Sequence, residues 1–254
     1  SPSSIQHKDI YASEIGALEE SKHVFINGNN LIERWKNLPD NASFTIGELG
    51  FGAGLNFLIT CQEFLKHSPK NSTLNFLSFE KFPFSREDME RTHSKYPSLN
   101  KESKQLVDNL PLNSKGVHRV SINDDKILLT LVYGDLKDGL LDLKNTGGYD
   151  AWFLDGFSPN KNPDMWSKEI IGKIAKASNS STTFATYSVA GVVKRNLIEA
   201  KFKITKNDGF GTKREMLTGL SESSALKKEF KKKRIGIIGA GIAGCSLAAI
   251  LAKR

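Results

Sequence analysis

Glu48 stands two residues ahead of a run in which glycine recurs at every second position, within the stretch IGELGFGAGLNFL. Gly50, Gly52 and Gly54 let a strand turn sharply into a helix and let a ligand approach the backbone without a Cβ in the way. Such loops commonly cradle a pyrophosphate, but a carboxylate beside one repels phosphate and suits a cation. Glu80 closes the next apolar run, the position from which a carboxylate can take both hydroxyls of a ribose. An adenosine that carries an ammonium and a sulfonium but no phosphate meets both demands. The loop therefore points to S-adenosylmethionine rather than NAD or FAD, with a purely structural glycine turn as the alternative. Asp135, in VYGDL, reads either as the acceptor for an adenine amino group or as a turn aspartate after Gly134. Asp155, in FLDGFSPNKNPDMW, ends a strongly apolar run and is followed by Gly156, Phe157, Ser158 and Pro159. A carboxylate beside an aromatic residue at such a turn can orient an amine for attack on a sulfonium methyl; the alternative is a capping or turn aspartate. VFINGNN offers Asn27 and Asn30 to the polar ends of the same cofactor, or forms a simple turn.

These residues need a scaffold that gathers them. SFTIGELG reads as a strand and LNFLITCQEFLKH as the amphipathic helix after it. STLNFLSFEKF is a second strand, and SREDMERTHSKY a helix whose Ser85 and Asp88 suit its first turn. KILLTLVYGDL and YDAWFLDGFSP are further strands, SKEIIGKIAKAS a helix, STTFATYS a strand and AGVVKRNLIEA a helix. KFKITKNDGFGTKREMLTGL closes as a hairpin. Apolar strands alternating with helices indicate a parallel sheet covered on both faces, whose ligands sit beyond the carboxyl ends of the strands. Glu48, Glu80, Asp135 and Asp155 all fall there.

The 254 residues, 39% hydrophobic and 25% charged, suit folded domains rather than general disorder. No apolar run approaches the roughly 20 residues of a membrane span, and the first residues lack a signal-peptide core. Cys61 and Cys245 are the only cysteines, which excludes a disulfide scaffold and suits a reducing cytoplasm. The five histidines show no metal-ligand spacing, so no metal is expected. A formal charge of +8 suggests an anionic partner, or serves solubility alone. Lys194, Arg195, Lys201, Lys203, Lys206, Lys213 and Arg214 concentrate that charge; they are phosphate contacts or a solvated face. Lys213 and Arg214, beside GFGT, are the better candidates for contacts near a substrate. Phe157 and Trp166 could stack on an unstacked base or belong to the core.

LEESKHVFINGNNLIERW, IGELGFGAGLNFL, SFEKFP, AWFLDGFSPNKNPDMW and GFGTKREMLTG together closely resemble the methyltransferase half of the bifunctional tRNA-modifying MnmC family, over roughly Tyr11 to Leu220. The resemblance implies an α/β, class I (Rossmann-like) S-adenosylmethionine-dependent methyltransferase, with a mostly parallel seven-stranded sheet and an antiparallel C-terminal strand. It implies N-methylation of the aminomethyl group on the wobble uridine of tRNA, giving 5-methylaminomethyl-2-thiouridine. Asp155 is then the catalytic carboxylate. Glu48, Gly50, Phe51, Gly52, Gly54, Asn56, Glu80, Lys81, Asp135, Asn27, Asn30 and Phe157 bind the cofactor, and Lys161, Lys213 and Arg214 meet the tRNA anticodon arm. A monomer acting in the cytoplasm is expected. A methyltransferase of the same fold acting on a small-molecule amine is the alternative, since fold alone does not choose a substrate.

A second glycine loop, RIGIIGAGIAG, has Gly239, Gly241 and Gly244 between an expected strand and the helix CSLAAILAKR. This reads as a dinucleotide fingerprint and resembles the opening of the FAD-dependent oxidoreductase half of the same family. The organisation expected is a methyltransferase domain at 1–220, a basic linker at 221–233 and the start of a truncated FAD domain at 234–254. FAD belongs to the complete protein only, because one strand and one helix cannot build a flavin site.

Overall fold

The computed structural model describes residues 16–140, 148–211, 213–223 and 235–252. Among them eight strands form one sheet: β1 (Ser43–Glu48), β2 (Thr73–Glu80), β3 (Gly116–Ile122), β4 (Ile127–Tyr133), β5 (Tyr149–Phe153), β6 (Ser178–Thr186), β7 (Phe202–Asp208) and β8 (Glu215–Ser221). Their order is β3-β4-β2-β1-β5-β6-β8-β7. The five inner strands from β4 to β6 run parallel, while β3 pairs antiparallel with β4, and β8 antiparallel with both β6 and β7.

The count corrects the seven strands read from the sequence, and β3 is the one added. It lies at the sheet edge with only Val120 and Ile122 buried, so its sequence, GVHRVSI, carries no continuous apolar run. By contrast β5 is buried along its whole length, as a central parallel strand must be.

The α-helices among the described residues are α1 (Ala17–Ser21), which continues into a π-helical turn at Lys22–Asn27, α2 (Leu31–Lys36), α3 (Leu55–His67), α4 (Arg86–His93), α5 (Asn100–Asp108), α6 (Leu136–Gly139), α7 (Lys168–Ala177), α8 (Gly191–Glu199) and α9 (Ile242–Ala252). Phe57, Leu58, Cys61 and Phe64 recur at helical spacing on α3 and are fully buried. They pack with Trp35, Phe76 and Phe153 on one face of the sheet. Trp152, Trp166, Ile170, Ile174 and Phe184 fill the other. Each such side chain stabilises the fold by about 1.5–3 kcal/mol relative to its exposed state. Serine caps start two of the helices: Ser85 Oγ accepts from Asp88 N–H on α4, and Ser167 Oγ accepts from Ile170 N–H on α7.

From β1 the chain builds outward through β2 to β4, then crosses back to β5 and builds outward on the opposite side. A crevice opens at the carboxyl ends of β1 and β5, where the crossovers part to opposite sides.

β8 runs through Ser221, one residue past the expected boundary, and residues 224–233 of the expected linker, with residue 234 after it, lie outside the described residues. Residues 235–240 form no strand, which corrects the βα reading of the second glycine loop: among the described residues no strand pairs with its backbone. The helix after it is present as α9. Among the described residues no helix is long and apolar enough to cross a membrane, and no cluster of side chains could hold a metal ion.

Candidate active site

The crevice holds a cavity of about 700 Å³, lined from the ends of β1, β2, β4, β5 and β6, from α1 and its π-helical turn, and from the β7–β8 turn. Leu49 N–H donates to Phe153 O at 3.2 Å, joining β1 to β5 where the glycine loop begins. The loop then turns on Gly52 at φ 53° and Gly54 at φ 75°, a region that disfavours side chains. A Cβ on Gly54 would also lie 2.7 Å from the Phe51 ring.

The loop amides reveal what it can hold. Phe51 N–H donates to Phe79 O at 3.0 Å and Gly54 N–H to Phe51 O at 2.8 Å. Gly52 N–H donates to Glu80 Oε2 at 2.8 Å. These are groups a pyrophosphate would need, and a carboxylate occupies the place where it would sit. A cofactor with an adenosine and no phosphate fits instead. Glu80 Oε1 accepts from Phe82 N–H at 2.8 Å, and each oxygen keeps a lone pair for a ribose hydroxyl. Burial pushes the Glu80 carboxyl up, opposed by the N–H groups of Phe82 and Gly52.

Glu48 corrects the sequence reading. It is fully buried and does not line the cavity. Ser78 Oγ donates to its Oε2 at 2.6 Å, and Asn56 Nδ2 donates to its Oε1 at 2.9 Å. The β1–β2 register sets Glu48 opposite Ser78, so the carboxyl group lies beneath the loop. Burial drives its pKa well above the ordinary range.

Asp155 does line the cavity, just beyond β5. Its Oδ2 accepts from Asn56 Nδ2 at 2.7 Å and its Oδ1 from Gly156 N–H at 2.8 Å. Burial pushes it up to about 6, against the pull of those two donors and of the Lys213 charge. Lys213 Nζ reaches Glu20 Oε1 at 2.6 Å and lies 4.0 Å over the Tyr187 ring, and the Tyr187 hydroxyl donates to Gly156 O.

The remaining residues divide. Asp135 caps α6 through Lys137 N–H and pairs with Lys81 at 3.1 Å, so the turn reading holds, and both side chains line the cavity. Gly50, Phe51, Asn56, Phe157 and Lys161 also line it. Trp166 is fully buried, its indole N–H donating to Phe157 O at 2.8 Å, so it is core. Asn27, Asn30 and Arg214 are exposed and do not line the cavity. Asn27 ends the π-helical turn and Asn30 opens α2 at φ 50°, so the asparagines serve chain reversal at the surface.

Glu20, Ser21, Val24, Phe25 and Tyr187 line the site without having been singled out by sequence. Only the packing of α1 and the end of β6 against the crevice brings them there. His93 lies behind the site rather than in its lining: its Nε2–H donates to Ala53 O at 2.7 Å, and its Nδ1 accepts from Ser103 Oγ at 2.7 Å, which tethers the loop to α4 and α5. A His–Ser pair ten residues apart carries no signal of that role.

Residues 97–222 match a family described as S-adenosyl-L-methionine-dependent methyltransferase. The bifunctional protein MnmC of tRNA 5-methylaminomethyl-2-thiouridine biosynthesis from Idiomarina loihiensis is 41% identical over 98% of this chain and 42% of its own length. The proteins of the same name from Legionella pneumophila and Vibrio campbellii are 39% and 40% identical over 100% of this chain, and 42% and 40% of theirs. The chain thus spans about two-fifths of the length of these curated relatives. The crystal structure of MNMC2 from Aquifex aeolicus shares the fold, with a TM-score of 0.68 at 22% identity, over 88% of this chain and 67% of that one.

Proposed function

We propose, from the match of residues 97–222 to the S-adenosyl-L-methionine-dependent methyltransferases and the similarity to part of the MnmC proteins, that this chain is a methyltransferase of that kind and methylates the primary amine of an aminomethyl group on the wobble uridine of tRNA. The product is 5-methylaminomethyl-2-thiouridine. The observation that carries this reading is the Asp155 carboxylate, held in the cavity by Asn56 and Gly156 N–H with lone pairs to spare.

The chain's own groups divide the work. Glu80 takes the ribose hydroxyls and Asp135 the adenine amino group. S-adenosylmethionine, when bound, supplies a methyl carbon activated by its sulfonium. The substrate amine arrives as an ammonium without a lone pair, so a base must relieve it of a proton before it can attack. Asp155, titrating at about 6, is ionised at neutral pH and accepts hydrogen bonds from that nitrogen. It orients the nitrogen lone pair and takes the proton or passes it to water; alignment at about 3 Å supplies most of the rate. Lys161 and Lys213, at the cavity wall, face the anticodon arm. The chain works as a monomer in the cytoplasm, and the FAD-dependent oxidative step belongs to the length of the relatives that this chain does not span.

Incubation with isotopically labelled methyl donor and tRNA bearing the unmethylated amine, followed by nucleoside analysis, tests the proposal. One labelled methyl on the side-chain nitrogen is expected. Label elsewhere on the nucleoside, or none, would defeat it.

A further inference from the structure

Asn56 has no N–H left to donate to a cofactor, and its carbonyl oxygen is already engaged within the protein. Its amide carries two N–H donors and one carbonyl acceptor. One N–H donates to Glu48 at 2.9 Å and the other to Asp155 at 2.7 Å. The carbonyl accepts from Ser21 Oγ at 2.5 Å. Turning the amide over would set its oxygen against the ionised Asp155 carboxylate, so that acid selects one orientation. The residue sits in the first turn of α3, directly after the glycine loop. It thereby ties α1, β1, α3 and the segment after β5 together at one amide.

We propose that Asn56 is a positioning residue for methyl transfer, not a cofactor ligand: anchored on Glu48 and Ser21, its amide aims the free lone pairs of Asp155 at the substrate nitrogen and favours the ionised carboxylate. Its catalytic consequence rests on the functional reading above; its electrostatic content does not. Asp155 is faced by Glu48 at the end of β1, Glu20 of α1, Lys213 of the β7–β8 turn and the Tyr187 residue after β6, whose hydroxyl is engaged by Gly156 O. Glu80, at the end of β2, acts on Glu48 in turn. Glu20 opposes ionisation of Asp155 and Lys213 favours it, and the Asn56 hydrogen bond stands ahead of both.

The experiment compares wild type, Asn56→Ser and Ser21→Ala as full chains. Donor affinity is read by calorimetry, kcat with tRNA, and the Asp155 midpoint by carbon-13 NMR. For Asn56→Ser we expect donor affinity within about threefold of wild type and kcat down about tenfold or more. The Asp155 midpoint should rise by about one pH unit. Ser21→Ala should move midpoint and kcat the same way by less, because Asn56 remains but is no longer held. Donor affinity weakened about tenfold with an unmoved midpoint would make Asn56 a cofactor ligand and overturn the proposal. Should Asn56→Ser fail to fold, a Ser21→Ala protein with unaltered midpoint and kcat overturns it equally. A wild-type chain inactive on tRNA defeats the functional reading, while the NMR midpoints still judge Asn56.

Discussion

Asp155 is held in a place that costs stability and provides reactivity. Its carboxyl moves from an ordinary 3.8 up to about 6 in the folded protein. Between those values the folded chain keeps a proton that the unfolded chain has released, so stability falls as pH rises through that window. The penalty is absent below the lower value and fully present above the upper one. Asp155→Asn should therefore raise the thermal midpoint at neutral pH by about 2–4 °C, measured by calorimetry or circular dichroism. The same variant should lose about a hundredfold in turnover while donor affinity stays within a few-fold. In the wild type, kcat should fall on the acid side with a midpoint near 6. Which carboxylates stand at the ends of the inner strands was legible in the sequence, because the end of an apolar strand is a local feature. Their depth was not: Glu48 is withdrawn from the cavity by Ser78, thirty positions on, through a register that no local pattern announces.

Elements place those side chains, and two substitutions test how. Gly54 holds φ 75° with the Phe51 ring 2.7 Å from any added Cβ. Gly54→Ala should cost about 1–2 kcal/mol of stability, read by denaturant titration, and weaken donor binding about tenfold. The β7–β8 turn delivers Lys213 to the cavity and leaves Arg214 outside it. Lys213→Met should shift the acid limb of the kcat profile to higher pH, because its charge favours ionised Asp155. Arg214→Met should leave that limb where it is. Strand and helix periodicity made seven strands and the main helices readable. β3 escaped because an edge strand with one buried face and charged neighbours resembles a loop, and the strand expected in RIGIIG is absent because periodicity says nothing about available partners.

The whole sequence carries a formal +8, and the cavity lining sets the carboxylates of Glu20, Glu80, Asp135, Asp155 and Asp164 among Lys81, Lys95, Lys137, Lys161 and Lys213. The basic sequence suits a polyanionic partner, and the carboxylates of the cavity suit a cationic donor. Binding of tRNA should weaken steeply with salt, losing nearly one counterion per phosphate contact on a log–log plot. Parallel topology and the crevice were readable from alternating elements; the contribution of α1 and its π-helical turn to the cavity wall was not, because it depends on packing between distant segments. The account turns on the chemical character of the ligand that the glycine loop accepts. Titration calorimetry with S-adenosylmethionine, alone and in competition with ADP-ribose, addresses this most directly. The account predicts one site for the donor, weakened about tenfold or more by Glu80→Ala and untouched by the pyrophosphate compound. Absence of donor binding, or its displacement by ADP-ribose, would contradict it.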